Sequence, residues 1–248
     1  ALAEAGLSYV FLQFDGADDE AHIKLRGRPL LAEKLKAIEN CGKHRLGVTL
    51  VPTLAPGVNT QQIGDLIKLA VSLSPTVRGI HFQPAAYLGR YPALPRDEQR
   101  FTLAELLAAI PEQTGGLIRL ENIAPSHCDH PLCGFHASFI AEPEGGLTPL
   151  TQPQSCCCRS TAEQNRDYVG KRWSAPPDFS NAAPEDGFEA FLQRARTHSF
   201  TVTAMAFQDA GTLDLERLRR CSLHVYKDGR YLPFCANYLT LYHQEHQG

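Results

Sequence analysis

Arg45-Leu46-Gly47-Val48-Thr49-Leu50-Val51-Pro52 is a near-continuous apolar run between two segments of a different period. Before it, Leu30, Leu31, Leu35 and Ile38 recur at helical spacing up to Cys41, and Gly42 is the expected stop. After it, Asn59-Thr60-Gln61-Gln62 resembles a helix N-cap box, and Ile63, Leu66, Ile67 and Val71 follow on one face. A strand that is apolar on both faces, set between amphipathic helices, belongs in a sheet covered by those helices. The unit recurs on either side. Tyr9-Val10-Phe11-Leu12-Gln13-Phe14 ends in the turn signal Asp15-Gly16. Val77-Arg78-Gly79-Ile80-His81-Phe82-Gln83-Pro84 is a third strand, and Thr102 caps a helix from Leu103 to Ile110. This β-α-β-α-β-α order predicts a parallel sheet with right-handed crossovers.

Chemistry in such sheets collects at the carboxyl ends of the strands. The polar residues there are Gln13, Asp15, Thr53, Asn59, His81, Gln83 and Tyr87. Turn and cap roles compete with a functional role for each of them.

The texture changes after residue 115. Leu117-Ile118-Arg119-Leu120 is expected as a last strand. Phe135 to Ile140 and Leu147 to Leu150 then read as a hairpin around Glu144-Gly145-Gly146. Helices are expected over 161–173, 186–198 and 213–220, and a strand over 200–207. A second hairpin turns at Asp228-Gly229, between strands at 221–225 and 232–235. A soft boundary near residue 118 divides the chain into parts 1–118 and 119–248.

Composition narrows the function classes. A net charge of −3 and a pI near 6.4 give no broad electrostatic case for nucleic acid or an anionic membrane surface. No apolar run approaches the roughly 18 residues that would suggest a transmembrane helix. Ala1-Leu2-Ala3-Glu4-Ala5 carries no signal-peptide pattern and begins as if inside a helix, so a fragment or processed chain of cytoplasmic location is expected.

Eight cysteines in a chain of 248 residues, without an export signal, suit metal or redox thiols better than a disulfide framework. Cys128 and Cys133 lie in the run His127-Cys128-Asp129-His130-Pro131-Leu132-Cys133-Gly134-Phe135-His136. Cys221 and Cys235 flank the second hairpin, whose antiparallel pairing would bring both thiols to one end of the ribbon. Two pairs of soft thiolates suit Zn²⁺ or an iron–sulfur cluster, the latter tolerating wider ligand gaps. The plainer alternative is two loop cysteines and two buried strand cysteines. Cys156-Cys157-Cys158 cannot all point one way, so redox or partial metal roles are open for them, with Arg159 favouring a thiolate. His127, His130, His136 and His224 are candidate ligands or simply bond to loop backbone. Cys41 stands apart at a helix end.

Together these runs resemble radical S-adenosylmethionine (radical SAM) enzymes. The residues that carry the resemblance are Val10-Phe11-Leu12-Gln13-Phe14-Asp15-Gly16, Gly47 to Thr53, Gly79 to Pro84, His130 to His136, Cys221 to Val225, and Pro233-Phe234-Cys235-Ala236-Asn237. The branch they are most similar to contains archaeal tetraether lipid synthase and bacterial radical SAM (seleno)proteins. The resemblance implies an α/β fold: a partial (β/α)6 TIM-like barrel with a C-terminal α+β cysteine-rich region. It implies an auxiliary [4Fe–4S] cluster on Cys128, Cys133, Cys221 and Cys235, and S-adenosyl-L-methionine as cofactor of the full-length parent. Gln13, Thr53, His81 and Gln83 would line the cofactor cavity. The family's C-x3-C-x2-C motif is absent from cysteines 41, 128, 133, 156, 157, 158, 221 and 235. The chain therefore resembles the later part of a parent enzyme, and no catalytic residue is assigned. Substrates of the family include small molecules, lipids and peptides, and the reductant would be a ferredoxin or flavodoxin. A zinc-binding structural or interaction module, and a thiol redox protein built on Cys156 to Cys158, are the competing readings.

Overall fold

The structure, a computed structural model, describes residues 1–89, 95–125, 130–150, 162–178, 184 and 186–240. In chain order the first half forms β1 (Tyr9–Gln13), α1 (Asp19–Arg26), α2 (Leu31–Lys43), β2 (Gly47–Val51), β3 (Thr53–Leu54), α3 (Ile63–Ser72), β4 (Val77–Pro84) and α4 (Leu103–Gln113). The second half forms β5 (Ala124–Pro125), β6 (Gly134–Ala141), β7 (Leu147–Pro149), α5 (Ala162–Trp173), α6 (Gly187–Thr197), β8 (Ser199–Met205), α7 (Leu215–Arg219), β9 (His224–Lys227), β10 (Arg230–Pro233) and α8 (Phe234–Thr240).

The sheet order is β1-β2-β4-β8-β6-β5, with β3 beside β4 and β7 beside β6. Strands β1, β2, β4 and β8 run parallel, and β6 returns antiparallel to β8. The fold is thus mixed α/β with a mostly parallel sheet, and no barrel closure is seen among the described residues. The sheet is continuous across residue 118, since β8 pairs with β4. A separate antiparallel ribbon joins β9 to β10.

Burial explains the strands. Val48 and Leu50 of β2 and Ile80 and Phe82 of β4 are fully covered. They share a core with Ile63, Leu66 and Ile67 of α3 and Leu106 and Ile110 of α4. Each such side chain stabilises the fold by roughly 1.5–3 kcal/mol relative to exposure. Thr102 caps α4 as expected, with Glu105 completing a capping box.

Three local expectations are corrected. α2 runs through Gly42 to Lys43. Glycine serves packing there, because an added Cβ would lie 2.7 Å from the Thr76 hydroxyl oxygen. Asn59 makes no side-chain cap; its amide is used elsewhere, as described below. Residues 117–120 form no strand. Ile118 is drawn into the core and Leu120–Asn122 makes a 3₁₀ turn, so pairing begins only at β5. The sequence pattern also gave no sign of α1, a mostly polar helix that buries only Ala21 and His22.

Close backbone approach sets one further residue. A Cβ on Gly134 would sit 2.1 Å from the Ala204 carbonyl oxygen. Only glycine lets β6 start against the end of β8, and that contact brings the neighbouring Cys133 to the carboxyl end of the parallel strands.

Among the described residues no helix is long and apolar enough to cross a membrane.

Candidate functional site

Two polar clusters lie near the carboxyl ends of the parallel strands. The first is built around Asp15, which follows β1 and is fully buried. Its Oδ2 accepts hydrogen bonds from Gln13 Nε2 at 2.8 Å and Arg26 Nε at 2.9 Å. Its Oδ1 accepts from the Thr53 backbone N–H at 3.0 Å. Asn59 Nδ2 donates to the carbonyl oxygens of Asp15 and Thr53, both at 2.7 Å, and its Oδ1 accepts from Ala55 N. Lys34 Nζ donates to the Gln13 carbonyl. Two of the four expected cofactor-cavity residues, Gln13 and Thr53, are therefore tied to one buried carboxylate. Gln83 stands opposite Thr53 in the β3–β4 pairing.

His22 is buried against the edge of the Phe14 ring, and desolvation holds its pKa below the ordinary histidine value. Neither His22 nor Arg26 was singled out by sequence pattern, because α1 itself was invisible there.

His81 sits farther along the sheet, in β4. Its Nδ1 is 2.8 Å from Thr203 Oγ1, and its ring stacks on Phe11 with centroids 6.4 Å apart. Thr203 Oγ1 also lies 3.4 Å from the Ile80 carbonyl oxygen. Burial lowers the His81 pKa to about 4 from 6.5. Between those values the unfolded chain binds a proton that the folded chain refuses. His81 therefore makes stability fall as pH drops from 6.5 towards 4, with no further loss from this group below that. Urea midpoints at about pH 7 and about pH 4.5 test this, with the slope of stability against pH set by the difference in bound protons. His81→Phe should lose less stability on acidification than the wild type; an unchanged difference between the two pH values would exclude His81 as the cause.

The second cluster is made of thiols. Cys133 precedes β6, Cys221 precedes β9 and Cys235 is the second residue of α8. The register Pro233↔His224, and the bond from Phe234 N to Leu223 O, bring the two ends of the ribbon together as its hairpin pattern predicts. All three cysteines line one small cavity, with about 20 Å³ of room for water-sized groups, together with Phe207, Gln208, Arg217 and Phe234. Cys133 Sγ accepts from Arg217 Nε at 3.3 Å, and Cys235 Sγ accepts from the Gln208 N–H at 3.3 Å. Cys221 Sγ donates to the Leu223 carbonyl at 3.0 Å. Burial pushes the Cys235 thiol up, as do the neighbouring Cys221 and Cys133 sulfurs, while the Gln208 N–H and Arg217 pull it down.

The segment carrying Gln208 is clamped. Asp209 is almost fully buried, and its two oxygens take a bidentate fork from Arg100 at 2.7 and 3.1 Å. Gln208 Oε1 in turn accepts from Asp214 N, at the cap of α7. Arg217 and Gln208 are site residues that sequence pattern missed. Arg217 lies one helical turn before Cys221, but an arginine in a charged helix carries no distinguishing mark.

Other candidate ligands behave differently. His130 accepts from Leu132 N through Nδ1, and its carbonyl accepts from Cys133 N, so it shapes the loop before β6. His224 Nδ1 meets the Ser222 carbonyl at 3.3 Å. Cys41 is half-buried in α2, and desolvation raises its pKa. His127, Cys128, Cys156, Cys157 and Cys158 lie outside the described residues. Among the described residues no three His, Cys, Asp or Glu side chains converge as the ligands of one metal ion. A thiolate-held cluster asks less of convergence, since each corner takes one sulfur. Three soft donors around one cavity, two of them receiving N–H groups, fit such a group in their chemistry.

No family model matches the chain. Over an alignment of 296 residues the chain is 29% identical to the 7,8-dihydro-6-hydroxymethylpterin dimethyltransferase of Methanocaldococcus jannaschii. The alignment takes in 98% of the chain and 58% of that enzyme. The chain is thus a distant relative of a dimethyltransferase along nearly its whole length, and it spans little more than half the length of that relative.

Proposed function

We propose that this chain is part of a radical SAM enzyme in which Cys128, Cys133, Cys221 and Cys235 hold an auxiliary [4Fe–4S] cluster. The observation that carries the reading is the gathering of Cys133, Cys221 and Cys235, from three separate parts of the sequence, around one cavity beside the parallel strand ends. When bound, such a cluster supplies one-electron chemistry or a binding point near 5′-deoxyadenosyl-radical attack on an unactivated carbon. The chain's own contribution is to hold the sulfurs, limit water around them and present N–H donors to them. In this reading β1, β2, β4 and β8 are strands of a partial (β/α)6 wall, and Cys133, Cys221 and Cys235 stand near its carboxyl end. Gln13, Thr53, His81 and Gln83 would face S-adenosyl-L-methionine in the complete enzyme. The relative is named for a pterin substrate, which favours a small molecule over a lipid or a peptide as substrate here.

Zinc is the competing occupant, and anaerobic purification followed by reconstitution with iron and sulfide separates the two. The cluster reading expects a brown protein with broad absorbance near ~400 nm and about four irons per chain, as a cubane requires. A colourless protein holding about one zinc and no iron would overturn it.

A further inference from the structure

We propose that Arg217 sets the reduction potential of the thiolate-held group by fixing a positive charge against the Cys133 sulfur. This inference rests on the cluster reading above and goes beyond it, since it concerns a residue that is no ligand.

Arg217 lies in the middle of α7, whose N-terminus is capped by Asp214 accepting from the backbone of Glu216 and Arg217. Its guanidinium is a two-point clamp. Nε donates to Cys133 Sγ at 3.3 Å, and Nη2 donates to the Ala206 carbonyl. Ala206 N in turn donates to the Cys133 carbonyl at 2.8 Å, so the arginine, the end of β8 and the cysteine form one closed unit. The neighbouring Arg219 pairs with Glu216. Arg217 instead turns its Nε–H to a sulfur and lines the same cavity as the three cysteines.

The physical consequence has a definite sign. Reducing an iron–sulfur cluster by one electron adds one negative charge to the group. A fixed cation and an N–H donor at a ligand sulfur stabilise the reduced state more than the oxidised state, which raises the potential. Partial burial strengthens the effect, because fewer waters screen the guanidinium. The Gln208 N–H acts on Cys235 in the same sense, but it is backbone and no side-chain substitution removes it. Arg217 is therefore the side chain through which the potential can be changed without touching a ligand.

The test uses the iron-loaded chain, reduced anaerobically with dithionite as electron donor through redox dyes and followed by electron paramagnetic resonance of the reduced cluster. Iron content and thermal melting are measured first on wild type, Arg217→Met and Arg217→Lys. Arg217→Met keeps an apolar stem and loses both charge and donor. Its potential should fall by at least a tenfold change in the reduction equilibrium, about 59 mV for a one-electron couple. Arg217→Lys keeps the charge without the fixed Nε–H and should fall between the two. An unchanged potential in Arg217→Met at wild-type iron content would overturn the proposal. So would loss of iron from both variants while they remain folded, which would make Arg217 a retention clamp. A wild-type chain that takes up no iron would overturn the cluster reading itself, and the iron assay shows this before any potential is measured.

Discussion

Asp15→Ala should destabilise the chain by about 3 kcal/mol, the scale for removing one partner of a buried, hydrogen-bonded charge pair. The carboxylate is fully buried and accepts from three residues, so its loss leaves Arg26 Nε, the Thr53 N–H and the Gln13 amide without their acceptor, while Arg26 Nη2 keeps the Thr53 hydroxyl. Arg26 is about a third exposed, with 36% of its side chain accessible, and water softens its share of the cost. The Thr53 N–H receives less relief, because β3 is held against β4 at that point. Asp15→Asn keeps one oxygen for Thr53 and should cost about half as much. The exposed pair Lys24–Glu20 gives the contrast: at 45% and 70% exposure, its removal should cost less than about 1 kcal/mol. Urea unfolding of the three variants decides the matter. An Asp15→Ala chain within about 1 kcal/mol of wild type would show that the strand ends are not organised by this carboxylate.

This network also explains why part of the site could be read from sequence and part could not. Gln13, Asp15, Thr53 and Gln83 fall at or just past the end of an apolar run and His81 falls within one, so strand periodicity marks them directly. Their partners came from elsewhere. Arg26 belongs to α1, whose single buried turn leaves almost no apolar period to detect. Lys34 lies on α2 among other charged residues, and only the fold brings its amine to the Gln13 carbonyl, 21 residues earlier in the chain. Asn59 looked like a cap because its neighbours have cap composition. In the fold its amide joins the turns after β1 and β3 instead, a choice made by chain segments 44 residues apart.

The same division holds for the sheet. Local alternation of strands and helices was enough to place β1, β2 and β4 side by side in parallel. It was not enough to show that β6 inserts antiparallel between β8 and β5. That arrangement depends on Gly134 meeting the Ala204 carbonyl, a contact between residues 70 positions apart in the numbering of the chain. The hairpin at Asp228-Gly229 was the opposite case. Both residues adopt positive φ, at 50° and 76°, as a two-residue turn requires, but the paired strands are shorter than the expected 221–225 and 232–235, so Cys221 stands before β9 and Cys235 lies in α8.

Cys133→Ser and Cys235→Ser should each lose most of the bound iron, whereas Cys41→Ser should retain it. Serine removes only the soft donor, since a hydroxyl keeps the shape but binds iron poorly against sulfur. Cys235 shows why folding is a weak confounder. It is 8% exposed, and a serine oxygen there can still accept the Gln208 N–H. At position 133, a serine oxygen can likewise accept from Arg217 Nε. Cys41 is packed against the core from α2 and away from the cavity, so its substitution tests whether any thiol loss suffices. Iron and acid-labile sulfide per chain, measured beside the melting temperature, read the result. Equal iron in all three variants would sink the ligand assignment. Iron lost from Cys133→Ser and Cys235→Ser at unchanged melting would leave the sulfurs, and not the fold, as what holds it. Cys221 then becomes the informative third position. Its thiol donates to the Leu223 carbonyl when protonated, so metal binding there must break that bond and release a proton. Iron retention should therefore weaken on acidification in the wild type, and it should do so more steeply than the loss of secondary structure measured on the same samples.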